Sequence, residues 1–175
     1  MKVILETPRL LLREMEERDA PGLLEMNTDP AVRRYLPFPM SESLEGCLQD
    51  VQGVQQQYKV HGIGRWSMEL KTTGEFIGWT GLKYMTETTN GRIHHHDLGY
   101  RLLQRYWGHG YASESAIASA EYGFEVLQLQ QIFGVAMVGN AASKRVLEKS
   151  GLCQTERFLR NGIEHFWFET PIPQL

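Results

Sequence analysis

The stretch from Asp97 to Ala112, D-L-G-Y-R-L-L-Q-R-Y-W-G-H-G-Y-A, constrains this chain more than any other. It opens as an apolar run, Leu98 to Leu103. It then passes through Arg105-Tyr106-Trp107-Gly108-His109-Gly110 and enters an alanine-rich helix that reaches about Leu127. A strand, a glycine-bearing loop and a helix start together make a holder for an anion. Glycine lets backbone N–H groups approach a ligand, and the first helical turn has unpaired N–H groups at the positive end of the dipole. A phosphate or pyrophosphate is the natural guest. A tight strand-to-helix turn accounts for the two glycines equally well, so other segments must decide. The dinucleotide fingerprint is excluded, since it needs a third glycine and an acidic residue ~20 positions later in a new strand. The lysine-bearing phosphate loop is excluded because no lysine follows Gly110.

A chain of 175 residues fits one domain, 1–175, and can bury a real core. Hydrophobic residues at 42% and charged residues at 22% are ordinary for a soluble globular protein. A net charge of −3 gives no basic footprint for nucleic acid. No apolar run approaches the ~20 residues of a membrane span, and Met1 to Arg13 lacks the pattern of a signal peptide. Cys47 and Cys153 are far apart and form no C-x-x-C, which reads as free thiols in a cytoplasmic chain.

In chain order, Arg9 to Met15 reads as a first strand with Pro8 at its start. Asp19 stands where it would cap a helix carrying Pro21 in its first turn, fading by Asn27 to Pro30. Ala31 to Leu36 form a short helical turn, broken by Pro37, Phe38 and Pro39. Ser41 or Ser43 caps a glutamine-rich helix whose Cys47, Val51, Val54 and Tyr58 make one apolar stripe. That helix is either a solvated face over a thin seam or one wall of a substrate cleft. Leu36 to Pro39 has the same two readings, cleft wall or connecting loop. Gly62 and Gly64 end the helix. Ile63 to Lys71 alternates Trp66, Met68 and Leu70 with polar residues, a strand with one buried face. Its hairpin partner is Phe76 to Tyr84, where Gly78 and Gly81 imply a bulge or the close approach of another backbone. Ile93 to Leu103 is the next strand. The following helix presents Ala116, Ala120, Gly123, Phe124 and Leu127 as one stripe. Gln131 to Val138 is a further strand, so strand, helix and strand imply a right-handed parallel crossover. Asn140 caps a short helix ending at Gly151, and Asn161-Gly162 turns a terminal hairpin. The fold class is α/β, a mostly antiparallel central sheet with one parallel strand pair, flanked by helices.

Two linked pieces carry a resemblance: R-Y-W-G-H-G-Y-A after one strand, and N-A-A-S-K-R-V-L-E-K-S-G-L after the next. In this order they resemble the signature motifs of the GNAT acyl-CoA N-acyltransferase superfamily. E-T-P-R-L-L-L-R, E-F-I-G-W-T-G-L and D-L-G-Y-R-L resemble its ribosomal-protein-alanine N-acetyltransferase branch. The resemblance implies that backbone amides of Arg105, Tyr106, Trp107, Gly108, His109, Gly110, Tyr111 and Ala112 cradle the pyrophosphate of acetyl-CoA, with the Arg105 side chain also suited to phosphate. It implies a splay between Leu98–Leu103 and Gln131–Val138 that holds the pantetheine arm like an added strand. Leu98, Gly99, Tyr100 and Arg101 would then present the thioester, with Asn140 and Ser143 touching the arm.

The family often places a tyrosine seven residues after the position of Asn140, as proton donor to the leaving sulfur. Here that position is Leu147. Ser143 is the replacement donor, set against an ordinary helix-start serine. For proton removal from the amine, His94-His95-His96-Asp97 leads into the thioester strand, with the order of preference His96, Asp97, His94. Glu69 is a further candidate. The run reads equally as a solvated strand entry, and its spacing is weak for a metal site. Trp66, Trp79, Tyr84 and Trp107 read as packing residues, Trp107 beside the cofactor loop. The expected activity is acetyl transfer from acetyl-CoA to a primary amine, a protein N-terminus or a small amine, with no metal. A coenzyme A-binding module without catalysis is the alternative, and a nucleotide-binding domain a distant third. A homodimer is expected from the branch.

Overall fold

The computed structural model describes residues 2–36 and 38–171. Its strands are β1 (Val3–Glu6), β2 (Leu10–Glu14), β3 (Trp66–Leu70), β4 (Phe76–Met85), β5 (His95–Leu102), β6 (Phe133–Met137), β7 (Cys153–Arg160) and β8 (Ile163–Glu169). Its helices are α1 (Ala20–Thr28), α2 (Pro30–Arg33), α3 (Leu44–His61), α4 (Tyr111–Glu125) and α5 (Ala141–Lys149). The strands form one sheet in the order β1-β2-β3-β4-β5-β6-β8-β7, antiparallel except for β5 and β6. Among the described residues no helix is long and apolar enough to cross a membrane.

Helix α4 packs on one face of the sheet. Ala116 and Ala120 are buried among Trp66, Met68, Leu82, Leu98 and Leu102. Small residues bring it close: a Cβ on Gly123 would stand 2.7 Å from a Leu82 methyl. The buried stripe also takes in Ser115 and Ser119, whereas Phe124 is only half-buried and Leu127 lies beyond the helix. On the other face, α1 and α3 close a second core around Leu23, Met26, Cys47, Val51 and Leu103. Ser43 caps α3 by accepting the Gly46 N–H at 3.1 Å, and Gly62, at φ 70°, ends it.

Two sequence expectations need correction. β3 is buried along its whole length rather than on one face. Its polar side is covered because Arg13 of β2 donates to Asp19 (2.8 and 2.5 Å) and to Glu69 (2.8 Å), and Ser67 Oγ donates to Asp19 at 2.6 Å. Paired and hydrogen-bonded charges can be buried where single charges cannot. Asp19 is therefore spent on Arg13 and makes no side-chain cap on α1.

The glycines of β4 do both things the sequence implied. The β3–β4 register shifts between Met68 and Glu69, a bulge. A Cβ on Gly78 would overlap the Arg101 carbonyl of β5. The two asparagine-glycine turns adopt positive φ at both residues, Asn90 50° and Gly91 71°, Asn161 51° and Gly162 76°. That is the backbone a two-residue hairpin requires.

Candidate active site

β5 and β6 are paired at a single position, Asp97 with Phe133. Beyond it the strands separate, while β5 stays paired to β4 from His95 to Leu102. The C-terminal half of β5 thus offers a free edge across a gap. One side-chain contact spans that gap. The Tyr100 hydroxyl donates to the Ser143 carbonyl at 2.8 Å and lies 3.0 Å from Ser143 Oγ. Asn140 holds the far side in place by accepting the Ser143 N–H at 3.0 Å. Burial pushes the Tyr100 phenol well above its ordinary pKa, so it stays protonated and remains a donor. Leu147, the position of the missing tyrosine, is buried in the core, so the hydroxyl pair comes from β5 and the start of α5 instead.

At the mouth of the gap, a single 3-10 turn (Gln104–Tyr106) leads through Trp107 to two left-handed glycines, Gly108 at φ 80° and Gly110 at φ 82°. The Trp107 indole donates to the Leu102 carbonyl at 3.0 Å and fixes the loop. Gly110 is the N-cap of α4 and has no side chain to cap with, which leaves the first-turn amides open. A Cβ on Gly108 would meet nothing within 4 Å, so open space lies beside the loop at this residue.

The Arg105 side chain has acidic partners within the protein. Its guanidinium pairs with the exposed Glu25 and, at 3.0 Å, Glu75. A second cation beside the loop is Arg9, which the sequence placed only at the start of the first strand. It donates to the His109 carbonyl at 2.9 Å, pairs with Glu114 at 2.6 Å and lies 4.4 Å over the Tyr111 ring. His109 stacks on the other partner of this cluster, the same Tyr111 ring, at 5.7 Å.

The residues proposed for proton removal are divided by the faces of β5. His96 packs against Tyr84 at 5.2 Å, and Tyr84 also contacts His61 (5.0 Å) and His94 (5.9 Å). Leu98 and Leu102, two and six residues on, share that face and enter the core under α4. His94, at φ 59°, lies just outside the strand. The His95 ring is buried against Phe133 and Trp167. Burial lowers the pKa of His95 and His96. Glu69 is held by Arg13 and Arg18. Among the described residues no group of three or more His, Cys, Asp or Glu side chains is placed to hold a metal ion.

Asp97 and Arg101 point to the opposite face, where a cleft of about 310 Å³ opens under α1 and α3. Asp97 forms an ion pair with Arg65, whose guanidinium also donates to the Gly81 and Asp97 carbonyls. Gly99 makes room for it: a Cβ there would stand 2.6 Å from Arg65 Nη2. Tyr58 of α3 anchors this segment, donating to the Arg65 carbonyl and accepting the Met15 N–H at 3.1 Å. Trp79 is not simple packing. It lies between two guanidiniums, Arg65 at 5.4 Å and Arg101 at 5.0 Å, and lines the cleft. Asp50 and Val54 of the glutamine-rich helix line it too, as do Phe38 and Pro39, so both segments are cleft walls. Pro37 lies outside the described residues. These lining residues come from separate elements with no local motif, which is why the sequence did not assemble them.

A mostly antiparallel sheet opened at one parallel pair, with a glycine-lined helix start at the mouth, is the GNAT acetyltransferase fold. The chain belongs to that family: residues 9–152 match the Acetyltransferase (GNAT) domain. A Bacillus subtilis (strain 168) protein named "Uncharacterized N-acetyltransferase YoaA" is 32% identical over 157 residues, 90% of this chain and 86% of that one. The "FsC-acetyl coenzyme A-N(2)-transacetylase" of Aspergillus fumigatus is 30% identical over 174 residues, 97% of this chain and 70% of that one. The ribosomal-protein-S5-alanine acetyltransferase of Vibrio fischeri shares the fold at a TM-score of 0.77 and 18% identity, covering 95% and 94% of the two chains.

Proposed function

We propose that the protein transfers an acetyl group from acetyl-CoA directly to a primary amine. The observation that carries this reading is the continuity of the β5–β6 gap with the open amides at Gly108–Gly110. The cradle fits the cosubstrate. Both glycines hold backbone angles that favour glycine, the first has open space before it, and α4 begins uncapped. A pyrophosphate would satisfy those amides, and the free edge of Leu98–Arg101 would pair with the pantetheine arm.

Acetyl-CoA supplies the acyl group as an activated thioester. The chain's own residues do the rest. Backbone N–H groups near Gly99 and Tyr100 polarise the acyl carbonyl. Tyr100 and Ser143 set two hydroxyls across the gap, as hydrogen-bond donors to the departing sulfur. The amine enters from the cleft face, since the other face is filled by α4. On that face Asp97 is the carboxylate closest to the end of the gap, and we assign it to orient the ammonium and draw off its proton, directly or through water. His96 lies on the far face and has no part in this assignment. An α-amine, with an ordinary pKa of ~7.7–8.0, needs little help to lose its proton, and a lysine-like amine at ~10.4 needs more.

The Tyr100–Ser143 hydroxyl pair favours this reading over a coenzyme A-binding module without catalysis. The test is direct. Acetyl-CoA raises the melting temperature while ATP and NAD leave it unchanged, and an amine panel then drives thiol release. A protein stabilised by ATP or NAD but not by acetyl-CoA contradicts the proposal.

A further inference from the structure

The cleft beside β5 holds a cation, Arg101, that has no ion-pair partner among the described residues. Arg65 is fully engaged with Asp97 and two carbonyls. Arg101 is different. Its Nη1 donates to Asn27 Oδ1 at 3.0 Å, a neutral acceptor, and its Nε is buried with no acceptor among the described residues. No carboxylate among the described residues forms an ion pair with it. Asp50, on α3, is exposed and lines the same cleft, but makes no ion pair with Arg101. The side chain is held by packing, with its guanidinium 5.0 Å from the Trp79 ring. Burial lowers its pKa to about 10, opposed by the nearby Asp50 carboxylate and helped by the like charge of Arg65, so it is still charged at neutral pH but poorly solvated. A half-buried guanidinium whose Nε lacks an acceptor costs stability. Its presence at the wall of a cleft is explained if a ligand completes it.

We propose that this cleft takes a small amine carrying a carboxylate, with Arg101 binding the carboxylate while the amine reaches toward the thioester presented by β5. The inference rests on the acetyltransferase reading above and names the acceptor class for it. Planar guanidinium and carboxylate match in shape and charge. Gly99 and Arg101 are two residues apart on one face of β5, about 7 Å, so the carboxylate sits several bonds from the reacting nitrogen. A volume near 310 Å³ is at the small end for ligand sites, which suits a short chain rather than a folded protein surface. The Trp79 ring offers an apolar bed for the methylenes between the two charged ends.

The experiment compares matched amines on the full chain: ω-amino acids of three to six carbons, their neutral amides, diamines of the same length, and peptides with free Ala or Ser N-termini. Thiol release from acetyl-CoA gives KM and kcat for each. The expected result is a KM for 5-aminopentanoate about 10- to 100-fold below that of its amide, from one or two charge-assisted hydrogen bonds. Arg101→Gln removes that preference by raising KM for the acid alone, and Arg101→Lys keeps part of it. Asn27→Asp gives Arg101 an internal partner and is expected to erase the preference in a folded protein, which guards against a misfolded Arg101 variant. Acetyl-CoA affinity is measured for each variant. Thiol release that favours amides, diamines or peptides overturns the inference and leaves the acetyltransferase reading standing. A chain that binds acetyl-CoA but acetylates none of these amines is titrated with the acids and amides by calorimetry in the presence of coenzyme A, and equal or absent binding overturns the inference. Failure to bind acetyl-CoA at all overturns both.

Discussion

Replacing Gly108 by alanine separates what the loop does for the fold from what it does for a ligand. Gly108 has φ 80°, and an added Cβ meets no atom within 4 Å. The only structural cost is the left-handed backbone, about 1–2 kcal/mol for a residue with a Cβ. The unfolded chain loses some freedom, which returns about 0.4–1 kcal/mol. The net loss is on the order of 1 kcal/mol, or roughly 2–4 °C in Tm for a chain of this size. Gly162→Ala is the matched control, with φ 76° and the same open space but at the terminal hairpin turn. Both variants are expected to lose the same few degrees in a thermal melt. Only Gly108→Ala places a methyl group in the loop assigned to the pyrophosphate. There it blocks one or two charge-assisted bonds to phosphate, about 1.5–3 kcal/mol each, so the acetyl-CoA Kd rises by about tenfold or more. Calorimetric titration reads this directly. Equal Kd values for Gly108→Ala and Gly162→Ala would refute the cradle.

Asp19→Ala breaks the buried Arg13 network, where both partners are 1% exposed, and is expected to cost about 3 kcal/mol in urea unfolding. His95 is held neutral by burial, with its pKa below the ordinary value. The unfolded chain therefore binds more protons as pH falls from 6.5 toward the folded pKa, and stability drops over that window. His95→Phe keeps the ring contacts and is expected to flatten that acid limb between pH 7 and 5. Arg105→Ala is expected to change the acetyl-CoA Kd by less than about threefold, because the guanidinium is engaged with exposed carboxylates. Tyr100→Phe is expected to lower kcat roughly tenfold while acetyl-CoA still binds, and Ser143→Ala added to it should cost less than its effect alone.

Much of this arrangement was legible from local chemistry. Asn161-Gly162, Ser43, Gly62 and Asn140 are residues whose own backbone or side-chain preferences dictate a turn or a cap, and each does so. The glycine loop and the parallel crossover follow from short stretches in fixed order. What escaped was non-local. β1 was missed because four residues gain a partner only when β2 lies beside them. The insertion of β8 between β6 and β7 follows from pairing across the sheet, not from chain order. Ser67 and Glu69 look outward by alternation, yet a buried arginine from another strand covers them. The same limit applies to the site: Arg105 resembles a phosphate ligand in sequence, and only the fold brings Glu25 and Glu75 to it. Arg101 belongs in sequence to the strand expected to present the thioester, and only the fold brings Asn27 and Trp79 to its side chain.

Amide hydrogen exchange with and without acetyl-CoA tests, residue by residue, whether the gap beyond Asp97 and the helix start at Gly110 form one acetyl-CoA site. Slowed exchange is expected at residues 108–113 and along Leu98–Tyr100, with little change in the β7–β8 hairpin. Binding that leaves both segments unprotected would contradict a single site.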